Sequence, residues 1–165
     1  MLKRTLFSLL ICCLAGEAFA NDANSSFTIY LVRHAEKVQD GSRDPELTEI
    51  GMQRSEKLAT WFSDKGIEDI WSSDYKRTRD TATPIVANLQ NDLTIYDPHN
   101  LPELSEKLLA KQHTVLVIGH SNTTPELARL LCNCEIADMD ESEHDRLIMI
   151  SVNDGKTKVK TLQQR

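Results

Sequence analysis

The chain has 165 residues, with 19 Lys and Arg against 25 Asp and Glu and a net charge of −6. An acidic surface of this kind argues against nucleic acid as the main partner. The length gives room for one domain with a single core, and no internal repeat or low-complexity tract divides it.

Met1 to Ala20 read as a secretory signal. Lys3 and Arg4 form the charged head, Thr5 to Gly16 the apolar run, and Ala18-Phe19-Ala20 a small-x-small cleavage site. The apolar run is shorter than the roughly 18 residues of a spanning helix, so no stable membrane anchor is expected after cleavage. The mature chain is then residues 21–165, one domain with 17 basic and 24 acidic residues, in the periplasm or secreted. Cys12 and Cys13 leave with the signal, since Ile11 and Cys12 precede them where a lipoprotein site wants a small residue. Cys132 and Cys134 remain, separated by Asn133. Export permits a disulfide between them, strained by so short a loop; two unpaired thiols are the alternative, and a two-Cys metal site lacks partners at usable spacing.

The first structured element is an apolar strand, Thr28 to Arg33, ending at His34. Val38 to Glu46 is a polar loop with Gly41 and Pro45, after which Thr48 caps a helix running to about Lys65. Gly66 ends that helix and Ile67 to Ser72 form a second strand. Ser73 or Asp74 caps the next helix, which passes Arg77 in its first turn and reaches Leu89; Pro84 inside it predicts a kink or an early break. Leu93 to Tyr96 is a third strand, Leu101 to Lys111 a helix, and Thr114 to Gly119 a fourth strand ending at His120. Thr124 as cap and Pro125 at the first position open a last helix. Glu135 to Asp145 is an acidic loop, read as solvated, and Leu147 to Val152 and Thr157 to Leu162 form a hairpin about Asn153-Asp154-Gly155. Strands alternating with helices predict a three-layer α/β domain, its central sheet mostly parallel with helices on both faces.

In such a sheet ligands bind at the carboxyl edge of the strands, so His34 and His120 are expected in one crevice. Arg33 adds a guanidinium, whose planar fork of donors suits phosphate oxygens. A metal-binding reading would combine His34, His99, His120 and Cys132 or Cys134, but Arg33 beside His34 repels a cation. His113 and His144 have polar neighbours and no motif, and read as surface residues.

Leu31-Val32-Arg33-His34-Ala35-Glu36-Lys37 resembles the signature of the histidine phosphatase superfamily, related to the cofactor-dependent phosphoglycerate mutases. Leu47-Thr48-Glu49-Ile50-Gly51, the stretch Ser72 to Ala82 and Gly119-His120-Ser121-Asn122 resemble further family segments in order and spacing. The resemblance implies a phosphoglycerate mutase-like fold and a metal-independent phosphomonoester hydrolase without cofactor. It makes His34 the nucleophile that carries a phosphohistidine, Arg33 and Arg77 the phosphate clamp, and His120 a phosphate-contacting donor, protonated while phosphate is bound. Lys76 and Arg79 read as solvated cations and Asn122 as a turn residue, while Glu36 and Lys37 either reach the rim of the site or are solvated.

The general acid is where the chain departs from the family. Many members have a Glu after the third strand, and acid phosphatase-like members have an Asp directly after the second His, where Ser121 stands here. Asp97, His99 and Glu103 are the candidates, with Asp97 nearest the strand end; its other reading is a turn-forming Asp-Pro. Without an acid the site would favour good leaving groups, as in the phosphohistidine phosphatase branch. The substrate expected is a small-molecule, glycan-linked or lipid-linked phosphomonoester, exposed outside the cytoplasm. The alternative function is a phosphate-binding or sensing module that keeps the Arg/His pocket without efficient turnover.

Overall fold

Eight-residue β1, Ser26–Arg33, runs through the middle of a six-stranded sheet, with one neighbour parallel to it and the other antiparallel. The computed structural model describes residues 26–164, so the expected signal sequence and Asn21 lie outside the described residues. In chain order the elements after β1 are α1 (Glu49–Phe62), β2 (Asp69–Ser73), α2 (Lys76–Leu89), β3 (Leu93–Tyr96), α3 (Leu101–Lys111), β4 (Val115–Gly119), α4 (Thr123–Cys132), β5 (Arg146–Asn153) and β6 (Lys156–Gln163). The sheet order is β3-β2-β4-β1-β5-β6: the first four strands are parallel, and the β5–β6 hairpin is antiparallel to β1. This is the expected mostly parallel α/β sheet.

The period-2 alternation of a strand sorts side chains to two cores. Phe27, Ile29 and Leu31 of β1, Val115 and Val117 of β4, and Ile148, Ile150 and Val152 of β5 pack against Leu104 and Leu108 of α3 and Leu127 and Leu131 of α4. Tyr30, Val32, Leu116, Ile118 and Leu147 face the other way, onto Leu58 and Phe62 of α1 and Ala82 and Ile85 of α2. Helices thus cover both faces of the parallel part, which is why its strands read as near-continuous apolar runs. The sheet's open edges are β3, four residues long, and β6, whose Lys156, Lys158 and Lys160 are exposed on one face.

Several boundaries differ from the sequence expectation. Thr48 does cap α1, its hydroxyl accepting from the Gly51 amide at 3.1 Å, but the helix ends at Phe62, where Ser63 and Lys65 bond three residues back instead of four. Neither Ser73 nor Asp74 caps α2. Tyr75 holds that position, and Asp44 reaches over from the preceding loop to accept the Lys76 amide at 2.8 Å. The helix also runs unbroken through Pro84. Interior proline costs about 3 kcal/mol, and Ala82 and Ile85, buried against α1 on either side of it, hold the helix together across the missing bond.

Helix α4 starts at Thr123 with Asn122 before it, so Thr124 is not its cap. Both threonines are used elsewhere: the Thr123 hydroxyl accepts from the His120 amide at 3.0 Å, and the Thr124 hydroxyl donates to Val32 O at 3.5 Å. Cys132 and Cys134 form a disulfide at the end of α4. The closing hairpin turns on Asp154 and Gly155, both at positive φ (49° and 72°), the two-residue turn that matches strand twist. Among the described residues no helix is long and apolar enough to cross a membrane.

Candidate functional site

Strands β1 and β4 are parallel neighbours in a register that sets Arg33 opposite Gly119. The residues that follow therefore leave the sheet side by side, and the His34 amide adds one more bond to Gly119 O at 2.9 Å. The His34 and His120 rings meet edge to face with centroids 5.5 Å apart. Gly119 suits this crossing, because a Cβ there would stand a tight 3.0 Å from the hydroxyls of Thr123, Thr124 and Tyr96.

His34 is almost wholly buried. Its Nδ1 lies 2.7 Å from the carbonyl of Ala35, which can only accept, so Nδ1 carries the hydrogen and Nε2 keeps its lone pair. Burial pushes the ring down to about 3, with Arg33, His120 and Arg77 adding to the effect, so the imidazole is neutral near pH 7. His120 receives Nη2 of Arg77 on Nδ1 at 3.3 Å and donates from Nε2 to Ser73 Oγ at 2.9 Å. The Ser73 hydroxyl in turn donates a hydrogen bond to Thr78 Oγ1 at 3.1 Å. Burial first, then Arg77 and Arg33, push His120 down to about 4. The protonated His120 expected from sequence belongs to a phosphate-bound state; without an anion the ring is neutral.

Both arginines are at this edge. Arg33 is 2% exposed, with Nη2 3.1 Å from a Glu141 carboxylate oxygen. Its Nη1 donates to the carbonyls of Asp140, Glu141 and Glu143 at 3.0, 2.8 and 3.0 Å. Arg77 stacks over the Tyr75 ring at 4.4 Å, and its Nη1 lies 3.6 Å from Asp44, beyond hydrogen-bond reach. Arg33 Nε and Arg77 Nε and Nη1 are buried and bond to nothing in the protein. Buried donors are ordinarily satisfied, and three at one spot beside a neutral imidazole make a site for an anion with several oxygens.

Asp97 is not part of this group. It accepts from the His99 amide at 2.9 Å in the turn after β3. Because β2 and β4 separate β3 from β1, about 14 Å of sheet lies between that turn and His34 at the usual strand spacing. The turn-forming reading describes its surroundings. Glu103 pairs with Lys107 at 2.5 Å on the outside of α3. Among the described residues no three His, Cys, Asp or Glu side chains stand together as a metal site. Arg79 pairs with Asp74 in solvent, and His113 bonds Asp69 at 2.7 Å at the opposite end of the strands. Glu36 is held by Arg54 through contacts of 2.6 to 3.0 Å, and with Lys37, Gln39, Arg33, Glu141 and His144 it lines a cleft of about 400 Å³.

Two expectations need correction. His144 is not a plain surface residue: its ring is 5.8 Å from that of His34, and its Nδ1 donates to His34 O at 3.0 Å. The acidic loop is not merely solvated either, since it wraps Arg33. Both follow from β5 being antiparallel to β1, with Leu147 opposite Val32, which brings the residues before β5 to the edge where β1 ends. A terminal hairpin lying against the first strand is the signal that points there.

The sequence profile of the histidine phosphatase superfamily (branch 1) matches residues 29–108. Over 91 residues the chain is 40% identical to the protein named probable phosphoglycerate mutase GpmB of Escherichia coli O139:H28, a match covering 52% of this chain and 41% of that one. The chain thus aligns with less than half the length of this relative. Among solved structures, the protein histidine phosphatase SixA in complex with tungstate superposes with a TM-score of 0.69 at 19% identity, over 83% of this chain and 97% of that one. Mycobacterial glucosyl-3-phosphoglycerate phosphatase Rv2419c gives 0.70 at 12% identity, over 85% and 100%. The paired strand-end histidines, the two arginines and these matches agree: residues 29–108 fit the histidine phosphatase superfamily, and the described residues share the fold of SixA.

Proposed function

We propose that this histidine phosphatase hydrolyses phosphomonoesters by two displacements at phosphorus, with Nε2 of His34 as the nucleophile. The observation that carries the reading is the state of that ring: buried, neutral, fixed through Nδ1, and next to three guanidinium N–H groups that bond nothing in the protein. A covalent phosphohistidine splits one difficult displacement into two easier ones. Arg33, Arg77 and His120 then act as donors to the equatorial oxygens, supplying the positive charge that a metal would bring. A cleft lined by side chains of both signs suits a phosphate presented on a small molecule, a glycan or a lipid headgroup. Export through the signal at 1–20 belongs to the same proposal, and the Cys132–Cys134 disulfide is in keeping with an oxidising compartment.

The test is hydrolysis of p-nitrophenyl phosphate by the mature protein with and without a chelator, together with quenched labelling of His34. Equal rates in both, label on His34, and loss of turnover in His34→Ala are expected. More than a few per cent of activity in His34→Ala would overturn the nucleophile assignment. The distance of Asp97 from the pocket favours the alternative of a phosphate-binding module; tight phosphate binding with no turnover of any ester would establish it.

A further inference from the structure

The loop joining α4 to β5 is held by guanidinium groups along its length. Arg129 donates to Ile136 O, Arg146 to Ala137 O and Asp138 O, and Arg33 to Asp140 O, Glu141 O and Glu143 O. Six main-chain acceptors fixed in this way set the direction of the side chains between them. The one directed at the pocket is Glu141: one carboxylate oxygen is 3.1 Å from Arg33 Nη2 and the other accepts from the Ser121 hydroxyl, beside His120. Its side chain is 79% exposed, so it can swing without unpacking the core.

An ester with a poor leaving group needs a proton on the departing oxygen. Asp97 stands three strand positions from β1, and most carboxylates nearer the pocket are engaged elsewhere: Asp140 accepts from Ser142 and Glu143 is held by Arg146. Glu36 is locked in the fork of Arg54, and Asp44 is committed to the first amide of α2. Glu141 is bound to a clamp arginine that phosphate itself must engage. The Ser121 hydroxyl first, then Arg33, hold the Glu141 carboxyl below its ordinary range. When phosphate takes Nη2 and Nε of Arg33, Glu141 exchanges a cationic neighbour for an anionic one, and both changes act against that and towards its protonated form.

On the reading of His34 given above, we propose that Glu141 is the acid–base residue of the reaction, displaced from Arg33 by the substrate phosphate and anchored near it by Ser121. In the first step Nε2 of His34 bonds phosphorus, the ester P–O bond breaks, and the leaving oxygen takes the proton of Glu141. In the second step the Glu141 carboxylate takes a proton from water as its oxygen bonds phosphorus and the P–N bond breaks. This restores neutral His34; the proton that Glu141 took up from solvent when the substrate displaced it returns to solvent as phosphate leaves and the carboxylate goes back to Arg33.

The experiment compares Glu141→Gln with wild type across esters of graded leaving-group pKa, from 2,4-dinitrophenyl through phenyl to alkyl phosphates, reading kcat/KM. Glutamine can still accept from Arg33, so the loop keeps its hold. The expected loss is about 100-fold or more for phenyl and alkyl phosphates and small for the dinitrophenyl ester, which departs without a proton. A pre-steady-state burst with that ester should show phosphoenzyme accumulating in the variant, because its hydrolysis also loses the base. Uniform loss across the series would overturn the proposal, as would a uniform gain with tighter vanadate binding, which would make Glu141 an internal competitor for the clamp. A leaving-group-dependent loss in His144→Asn but not in Glu141→Gln would also overturn it. Failure to label His34 in wild type would instead sink the nucleophile assignment, whereas label with unchanged leaving-group dependence in Glu141→Gln would sink Glu141 alone.

Discussion

Arg33 and Arg77 act on the same two histidines, and their surroundings could hardly differ more. Arg33 ends β1 in the interior, with one amino group shared among three main-chain carbonyls and the other on Glu141. Arg77 sits in the first turn of α2 with one bond to His120, its plane on Tyr75, and Nε and Nη1 bonded to nothing in the protein. One guanidinium is largely engaged by the fold; the other has one hydrogen bond and a more distant carboxylate neighbour, Asp44. The same residue type at one pocket therefore carries two different liabilities when it is lost.

The largest effect belongs to Arg33→Ala. It removes a clamp donor, worth about a hundredfold to a thousandfold in turnover, and strands three loop carbonyls, which should cost on the order of 2–3 kcal/mol of stability. Urea unfolding and kcat/KM should both register it. Arg77→Ala should lose a similar factor in kcat/KM while its urea midpoint stays put or rises, because the protein offers that guanidinium few partners for the burial it imposes. A midpoint fall as large as that of Arg33→Ala would erase the contrast.

Acid sharpens the comparison at the rings between the two arginines. Both rings titrate near 6.5 in the unfolded chain and are held at about 3 for His34 and about 4 for His120 in the fold. Between those values the unfolded chain binds more protons, so stability is complete above about pH 6.5 and is lost as pH falls through that window. Each ring contributes at most about 1.4 kcal/mol per pH unit. His34→Ala should flatten the decline of the urea midpoint between pH 7 and 4, and saturating phosphate should flatten it as well by raising both rings. An unchanged slope in the variant would mean that His34 is not held neutral by the fold.

A smaller effect is expected from Arg146→Gln, which releases Ala137 O and Asp138 O without touching the pocket. Loosening the loop should raise KM about fivefold, equivalent to about 1 kcal/mol, with kcat moving less. Arg79→Ala, whose partner is Asp74 in solvent, should change neither activity nor stability measurably. A loss there comparable to that of Arg77→Ala would mean that the wrong arginine of α2 has been placed in the clamp.

The parallel half of the molecule was legible in the sequence because its signals are local. The apolar runs ending at His34 and His120 are strands because both faces are covered, and α3 keeps its expected bounds from Leu101 to Lys111. The misread positions are those whose partners are remote. Thr124 looks like a cap but bonds β1; the first amide of α2 is bonded by Asp44, from a loop 32 residues earlier; and Pro84 is tolerated because α1 packs beside it. The same holds in the site. Asp97 looks close because it follows a strand end, yet strand order puts it at the sheet edge. Glu141 and His144 look solvated because nothing in their immediate sequence records that β5 runs antiparallel to β1.

The sheet's two open edges carry a last consequence, for how copies of this protein meet one another. An edge strand offers a ladder of backbone donors and acceptors to any extended chain. At β3 the ladder is four residues long, too short for much pairing. At β6 it is eight residues long, and Lys156, Lys158 and Lys160 stand at every second position. Two molecules approaching there would bring like charges into register, and the resulting repulsion opposes pairing at μM concentrations. Replacing the three lysines with valine would leave the pocket untouched and remove that repulsion, so light scattering should record growing assemblies while the proposed turnover per folded molecule is unchanged.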